Sequence, residues 1–300
     1  MARPLVMLGP TASGKTSLGL ELAKRLDGEV ISADAMAVYK EMSVGTAKPT
    51  TAELASVPHH CVDVASVTDS FHLSDFQELA QKALAEIEQR GKLPIIVGGT
   101  GLYVRSIVDD LELPPADPEV RQKLDDTFST EELFEKLNDF DPTAASKIEP
   151  TNRRRLLRAM EVVEISGRPF SSYGPGMEAY PETNFVQVGL EIDRELMDER
   201  IEQRFWKQIE EGFVEEVKSL EEFELSKTAA QALGYAELAR HIAGELTVEE
   251  AIHEAVLRTR RFARRQQRWF RRDPRIKWLE SQDDSLVDLV VDHWQSQNQT

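Results

Sequence analysis

The chain has 300 residues, a net charge of −17 at pH 7 and one cysteine, Cys61. This length suffices for one large or two moderate domains with a full core. A single cysteine excludes an internal disulfide framework and is typical of a reducing compartment. No apolar stretch approaches the roughly 18 residues that span a bilayer. We therefore predict a cytoplasmic protein that does not enter the membrane.

The charge is unevenly distributed along the chain. Between Arg258 and Arg275 there are nine arginines and one acid, Asp273, a local balance of +8 that leaves −25 on the remainder. Net charge governs solubility and non-specific association, whereas a local basic strip still binds phosphates. The acidic total therefore does not exclude a nucleic-acid partner.

A phosphate-binding loop begins nine residues into the chain. The apolar run 4–8 predicts a buried strand, and the periodic run 17–26 predicts a helix. The segment between them has the form G-x-x-x-x-G-K-[ST] and consists of Gly9, Pro10, Thr11, Ala12, Ser13, Gly14, Lys15 and Thr16. Helix N-terminal N–H groups attract an anion, Lys15 adds charge, and the Thr16 hydroxyl is placed to bind Mg²⁺. The loop predicts that a di- or triphosphate binds here.

Strands and helices alternate as far as residue 113, which predicts an α/β fold with a parallel sheet and helices on both faces. The predicted elements are strands near 29–32, 61–64 and 93–97, and a helix that Ser74 caps and that runs to about residue 90. Ligands of such sheets bind at the carboxyl ends of the strands. Asp34, Thr100 and the phosphate loop should therefore meet in one crevice.

The composition changes at residues 113–118. Residues 115–183 are helical and charged, which predicts a helical insertion between two parts of the phosphate-loop core, 1–114 and 184–300. Strand 185–192 returns to the sheet, and helices follow at 194–220, 228–243 and 247–272. The last dozen residues are expected to fray.

Three polar residues are candidates for the crevice. Asp34 is suited to hold Mg²⁺ through water or to act as a general base, and its alternative role is to cap a turn. Thr100, between two glycines, is suited to donate to a leaving diphosphate oxygen or simply to form a tight turn. Lys48 is interpreted as a solvated lysine in a nearby loop.

Two basic clusters stand out. Five arginines recur at spacings of three and four residues and so share one helix face: Arg258, Arg261, Arg265, Arg268 and Arg272. Like charges in one row repel without an anion, so phosphate contact is favoured, with pairing to the acidic body as the alternative. The second cluster lies in the insertion and consists of Arg153, Arg154, Arg155 and Arg158.

A zinc site is not predicted. His59 and His60 are adjacent, so on an extended segment they point to opposite faces, and no second pair of ligands follows at metal spacing. No set of residues resembles a nucleophile–histidine–acid triad.

Taken together, the motifs resemble those of the tRNA dimethylallyltransferase (tRNA isopentenyltransferase) family. The resemblance covers nearly the whole chain in order, through segments 9–16, 34–39, 45–49, 98–103, 154–159, 200–205 and 264–266 with Trp269. It implies transfer of a dimethylallyl group from dimethylallyl diphosphate to N6 of the adenine at tRNA position 37, beside the anticodon. The acceptors would be tRNAs that read codons beginning with U, bound through the anticodon stem-loop, and we expect a monomeric enzyme that uses Mg²⁺.

The chemistry of this reaction agrees with the residues. An adenine amine is a poor nucleophile, so a base that takes its proton is useful, and Asp34 is the candidate. The loop amides, Lys15, Thr16 with Mg²⁺, Thr100, and Arg204 or Arg200 can stabilise the leaving diphosphate. The acceptor adenine must leave the stack to reach the crevice.

By the same resemblance, the tRNA contacts are Asp34, Ala35, Met36, Ala37, Thr100, Arg121, Arg154, Arg155, Leu156, Leu157 and Arg158. Two positions depart from the family pattern, because Ala35 and Ala37 stand where the family commonly has Ser and Gln. Asn152 likewise stands where Asp is frequent. With alanine at positions 35 and 37, backbone groups are the alternative to side chains for contact with the adenine.

Three alternatives remain open. A phosphate-loop small-molecule kinase that binds ATP would share the loop, the Mg²⁺ site and Asp34, but would not need the arginine row. An adenylate isopentenyltransferase would not need two basic clusters. A non-catalytic nucleic-acid binder would explain the arginines but not the loop.

Overall fold

A computed structural model describes residues 2–174, 176 and 178–299. The chain forms two compact units: residues up to Asp109 together with those from Glu182 onward, and Asp110–Pro181. Along the chain, no helix among the described residues is both long and apolar enough to cross a bilayer.

The first unit contains one six-stranded sheet. Its strands are β1 Leu5–Leu8, β2 Gly28–Ala33, β3 His59–His60, β4 Leu93–Gly98, β5 Val186–Glu191 and β6 Lys277–Glu280. All neighbours are parallel, in the order β3-β2-β4-β1-β5-β6. The central strand β1 pairs Leu5 with Ile95 on one side and with Val186 on the other. The two central strands, β4 and β1, are apolar throughout because both faces are covered.

The helices of the two units are, in chain order, α1 Lys15–Arg25, α2 Thr51–Ser56, α3 Leu73–Gln89, α4 Gly101–Val108, α5 Pro118–Thr127, α6 Thr130–Phe140, α7 Pro142–Ala145, α8 Arg153–Ser166, α9 Arg194–Glu210, α10 Phe213–Ser219, α11 Tyr235–Ile242, α12 Val248–Phe270 and α13 Leu286–Asn298. Helices α5 to α8 belong to the second unit.

Helices cover both faces of the sheet, which confirms the predicted fold class. On one face Leu22 of α1 and Val290 of α13 pack into a core with the inner strands. On the other face Phe76 of α3 and Ile107 of α4 do the same. Burial of each such side chain contributes about 1.5–3 kcal/mol. A separate core joins α9, α10, α11 and α12.

Two element boundaries were predicted wrongly for local reasons. The edge strand β3 lies at 59–60 and not at 61–64, because Cys61 and Asp63 have φ of 60° and 55°, which a strand does not accommodate. Helix α3 begins at Leu73 after the cap residue His72, whose N–H donates to Asp75 at 2.7 Å. Ser74 therefore lies inside the helix that it was expected to cap.

The prediction for the C-terminal part also needs correction. The expected helix 194–220 is two helices, since the first ends at Glu210 and Gly212 caps the next. Strand β6 was missed because it is a partly exposed edge strand of four residues. The C-terminal residues up to Asn298 form α13 in place of the expected frayed end, because Val290 and Val291 are buried against the sheet core.

The second unit has its own core, to which Leu133, Leu137 and Leu156 contribute. Its helices begin at side-chain caps. The Ser129 side chain accepts from Glu132 N–H at the start of α6, and Asn152 accepts from Arg155 N–H at the start of α8. Such caps satisfy helix N–H groups that have no partner in the helix.

Candidate active site

The phosphate loop joins the end of β1 to the start of α1. Gly14 precedes the helix with φ 87°, a left-handed conformation that glycine adopts without strain. The Ser13 N–H donates to the Pro10 carbonyl at 3.3 Å and closes the loop. The first N–H groups of α1 have no partner within the helix, so they and the helix dipole favour an anion at this point. Thr16 is exposed beside them.

Lys15 lies over this loop, with Nζ donating to the Pro10 carbonyl at 3.1 Å. Burial lowers the pKa of Lys15 to about 8, Asp34 partly opposes this shift, and the positive charge of Arg204 adds to it. Lys15 therefore lies close enough to Asp34 and to Arg204 for their charges to interact. A desolvated cation of this kind interacts strongly with a phosphate, because little water screens it.

Asp34 follows β2 and divides its two carboxylate oxygens between two environments. Oδ1 accepts from the Met36 N–H at 2.8 Å and from the Ala37 N–H at 3.4 Å, which is the turn-capping role. Oδ2 accepts no hydrogen bond from any residue in the described part of the chain. The carboxylate therefore caps its turn with one oxygen and leaves the other without a hydrogen bond.

Thr100 lies at the N-cap of α4, directly after β4. Its N–H donates to the Ala33 carbonyl at 3.2 Å, and its Oγ1 accepts from the Ala35 N–H at 3.1 Å. These bonds hold Thr100 beside Asp34, as expected from the adjacent strands β2 and β4. Since the hydroxyl acts as an acceptor in this contact, its own proton is available for a ligand oxygen.

Arg204 and Arg200, both on α9, approach the same place. Arg200 Nη1 donates to the Ala12 carbonyl of the phosphate loop at 3.5 Å. The Nε of Arg204 is buried and has no hydrogen-bond partner among the residues described. Burial lowers the pKa of Arg204 and Asp34 opposes the shift. An orphaned guanidinium N–H beside a phosphate loop is a donor suited to an anionic ligand.

The sequence motifs assign no role to Gln266 on α12, but its side chain joins two loops of the site. Its Oε1 accepts from the Thr11 N–H at 2.9 Å, and its Nε2 donates to the Gly99 carbonyl at 2.8 Å. Helix periodicity places this residue on the face opposite the arginine row. The two loops that it joins are 255 and 167 residues away in sequence, so no local pattern could identify them.

The nine arginines of segment 258–275 divide into two groups. Five pair with carboxylates: Arg258 with Glu237, Arg260 with Asp198 and Glu202, Arg264 with Asp198, Arg271 with Glu191, and Arg275 with Asp109 and Asp273. The other four are exposed and have no acidic partner among the described residues: Arg261, Arg265, Arg268 and Arg272. We call these four the free arginine row. Of the five arginines predicted to share one helix face, only Arg258 pairs with a carboxylate, that of Glu237.

The basic residues of the second unit also divide into paired and exposed side chains. Arg158 and Arg121 both bind Glu161, at 2.8 and 2.6 Å, and Glu161 is fully buried. Burial raises the pKa of Glu161, but the hydrogen bonds from Arg158 and Arg121 outweigh this, so its pKa lies below the usual value. Arg154 and Arg155 are exposed.

Several residues that the resemblance places at the RNA are buried. The side chains of Leu156 and Leu157 pack into the core of the second unit. Ala37 is buried in the first unit. Lys48, interpreted as solvated, has a side chain that is only 5% exposed; it binds Asp63 at 2.5 Å and the Tyr39 carbonyl. Lys48 therefore holds loops together, and its interpretation as a solvated side chain was wrong.

His59 and His60 each form a hydrogen bond with a protein group. His60 Nε2 contacts Glu29 at 2.7 Å, and His59 Nδ1 contacts the Val57 carbonyl at 2.8 Å. Within the described ranges no group of three or more His, Cys, Asp or Glu residues could hold a metal ion.

Fold and site together define a phosphate-loop α/β protein with a carboxylate and a threonine at the ends of neighbouring strands. A model of the family described as IPP transferase matches residues 37–273. A Nocardioides protein named tRNA dimethylallyltransferase is 46% identical over 294 residues, covering 96% of this chain and 94% of its own. The chain belongs to the IPP transferase family, which confirms the resemblance found in the motifs.

Solved structures agree with this assignment. A full-length tRNA isopentenylpyrophosphate transferase from Bacillus halodurans matches with a TM-score of 0.73 and 36% identity, covering 100% of this chain and 99% of its own. A eukaryotic dimethylallyltransferase, described as acting on tRNA, matches with a TM-score of 0.81 and 24% identity, covering 97% of this chain and 77% of its own. At that identity the second match shows the shared fold alone.

Proposed function

We propose that this chain transfers the dimethylallyl group of dimethylallyl diphosphate to N6 of the adenine at tRNA position 37 and releases diphosphate. The observation that carries the proposal is the meeting of Asp34, Thr100 and the phosphate loop at adjacent strand ends. The relatives named tRNA dimethylallyltransferase support the reaction. The chain is accordingly a prenyl-transferring enzyme.

Asp34 acts as the general base. The adenine amine gains a bond to the prenyl carbon as the C–O bond to diphosphate breaks, and the amine proton passes to Oδ2. This oxygen suits the role because the turn uses only Oδ1. Base catalysis of this type contributes roughly 10²- to 10⁴-fold.

Leaving diphosphate is stabilised by the groups around the loop. The helix N–H groups, the Lys15 ammonium and the Arg204 guanidinium face the position where negative charge develops, and the Thr100 hydroxyl donates one further hydrogen bond. Preorganised donors in a partly desolvated site are effective because they need no reorganisation during the reaction. Arg204 is preferred over Arg200 because its Nε is buried without a partner.

Mg²⁺ fits this site as a partner of the diphosphate. The exposed hydroxyl of Thr16, at the start of α1, would hold the ion together with phosphate oxygens and water. When bound, the ion supplies charge neutralisation to the leaving group.

The tRNA binds through exposed basic residues on each unit. The free arginine row supplies four unpaired charges on the first unit, and Arg154 and Arg155 supply two on the second. Arg121 and Arg158 are oriented by Glu161 and can contact the anticodon stem-loop through their exposed edges. Position 37 is reached by flipping the adenine out of the stack. We expect the enzyme to act as a monomer in the cytoplasm.

Prenyl transfer with labelled substrate tests this proposal. Purified protein and Mg²⁺ are incubated with labelled dimethylallyl diphosphate and either unmodified tRNA or AMP. A separate reaction contains ATP and no prenyl donor. We expect label in tRNA alone. Label in AMP would make the chain an adenylate isopentenyltransferase, and phosphoryl transfer from ATP without prenyl transfer would make it a small-molecule kinase.

A further inference from the structure

Gln266 joins two loops that carry different parts of the proposed chemistry. The phosphate loop holds the diphosphate, and the loop after β4 carries Thr100. Gln266 accepts from the Thr11 N–H of the first and donates to the Gly99 carbonyl of the second. Its side chain is buried, with 8% of the residue exposed, so water does not replace these bonds readily.

The approach of α12 to the second loop is close enough to require glycine. A Cβ on Gly99 would lie 2.3 Å from Gln266 Nε2, and a Cβ on Gly101 would lie 2.1 Å from Trp269 Nε1. Both distances are far shorter than any real carbon contact. The helix therefore rests directly on the backbone that flanks Thr100, with Gln266 and Trp269 one turn apart.

The amide at position 266 meets two demands at once. The Thr11 N–H needs an acceptor and the Gly99 carbonyl needs a donor, and the glutamine side chain offers one of each. A methionine has nearly the same shape but makes neither bond. A glutamate accepts from Thr11 but, when ionised, has no proton for Gly99.

We propose that Gln266 is a positioning residue that fixes the separation between the phosphate loop and Thr100. This inference rests on the proposed function and deepens it. A fixed separation sets the distance between the diphosphate and the group that donates to its leaving oxygen. Misplacement by about 1 Å is enough to lower a rate roughly 10²-fold, even when the reacting groups are intact.

Three members of the free arginine row, Arg261, Arg265 and Arg268, lie on the other face of the same helix, and Arg272 follows its end. Substitution at Gln266 therefore leaves the RNA-binding charges in place. We therefore expect Gln266→Met to lower kcat by about 10- to 100-fold, with the KM for tRNA within about twofold of wild type. If Gln266 only stabilised the fold, Gln266→Met would lower the melting temperature, but it would not lower kcat while leaving KM for tRNA unchanged.

The matched control is Gln187→Met. Gln187 is also a buried glutamine, but it lies near the start of β5, away from the carboxyl ends of the strands, and its Nε2 has no partner in the described part of the chain. We expect kcat of this variant to equal that of wild type. If Gln187→Met lowers kcat as much as Gln266→Met, or if Gln266→Met retains kcat within twofold, the inference is wrong.

Hydrogen exchange at the Thr11 amide tests the contact with Gln266 without relying on catalysis. In Gln266→Met the amide of Thr11 should lose protection by at least about tenfold, whereas Gln266→Glu should keep that protection and still lower kcat. Unchanged protection at Thr11 in Gln266→Met would overturn the inference. If the wild-type enzyme transferred no prenyl group, the proposed function would fail, while the exchange result would still decide whether Gln266 holds the two loops.

Discussion

The crevice and the outer face of α12 both offer positive charge to phosphate, but in opposite surroundings. In the crevice, burial lowers the pKa values of Lys15 and Arg204, and Asp34 lies close enough to oppose both shifts. On α12, the free arginine row is exposed and lacks acidic partners among the described residues. Buried charges act strongly over a few ångströms, whereas exposed charges are screened within about 10 Å at 0.1 M salt.

This difference predicts that the crevice and the free arginine row have separate roles. A single change in the crevice should alter the chemical step and leave RNA affinity nearly intact. Changes in the free arginine row should alter affinity and its salt dependence and leave the chemical step nearly intact.

Replacing the base should have the largest effect. Asp34→Asn keeps an oxygen for the Met36 N–H but removes the proton acceptor, so the single-turnover rate should fall by about 10²- to 10⁴-fold. Affinity for tRNA, measured by filter binding, should stay within about twofold of wild type. A rate within tenfold of wild type would show that Asp34 is not the base.

Removing two free arginines should weaken RNA binding. Arg265→Ala combined with Arg268→Ala deletes two phosphate contacts, so tRNA affinity near 0.15 M salt should fall by about 10- to 30-fold. The slope of log K against log salt should flatten by roughly 2. Titrations at several salt concentrations measure both quantities. An unchanged slope would mean that these arginines do not contact RNA.

Titration of Lys15 should make diphosphate binding depend on pH. The lowered pKa of about 8 means that the ammonium form predominates below pH 8 and is lost as the pH rises through that value. Binding of inorganic diphosphate, measured by calorimetry, should therefore weaken by about tenfold between pH 7 and pH 9.

Lys15→Arg provides the control, because a guanidinium keeps its charge over this range. The titration of diphosphate itself is common to both proteins and cancels in the comparison. Equal pH dependence in the two proteins would contradict the assignment of the effect to Lys15.

The paired arginines of α12 should give the smallest effect. Arg260→Ala combined with Arg264→Ala removes the same formal charge as the pair above, but these side chains bind Asp198 and Glu202. We expect the salt slope for tRNA to stay unchanged and the free energy of unfolding to fall by about 0.2–1 kcal/mol per pair. A flattened slope in this variant would remove the distinction between free and paired arginines.

Much of the crevice was predictable because its signals are local. The phosphate loop, Asp34 and Thr100 each follow an apolar strand, and parallel strands bring their carboxyl ends together. The break before Gly212 and the left-handed residues Cys61 and Asp63 depend on the backbone, which apolar periodicity does not reveal.

The sequence alone could not predict which residues pair when they lie far apart in the chain. Helical spacing placed Arg260 and Arg264 outside the row, but their partner Asp198 lies more than 60 residues earlier. Gln266 likewise binds loops that lie 255 and 167 residues earlier. Local patterns identify side chains that can carry chemistry, and tertiary packing decides which of them remain available.

The most direct test uses two anticodon stem-loops that differ only at position 37. Wild-type enzyme is given labelled dimethylallyl diphosphate and a stem-loop with adenine or guanine at that position, and the label is located by nuclease digestion. The account predicts label on the adenine stem-loop, at N6 of that nucleoside, and none on the guanine stem-loop. Equal labelling of both stem-loops, or labelling of neither while AMP is labelled, would contradict it.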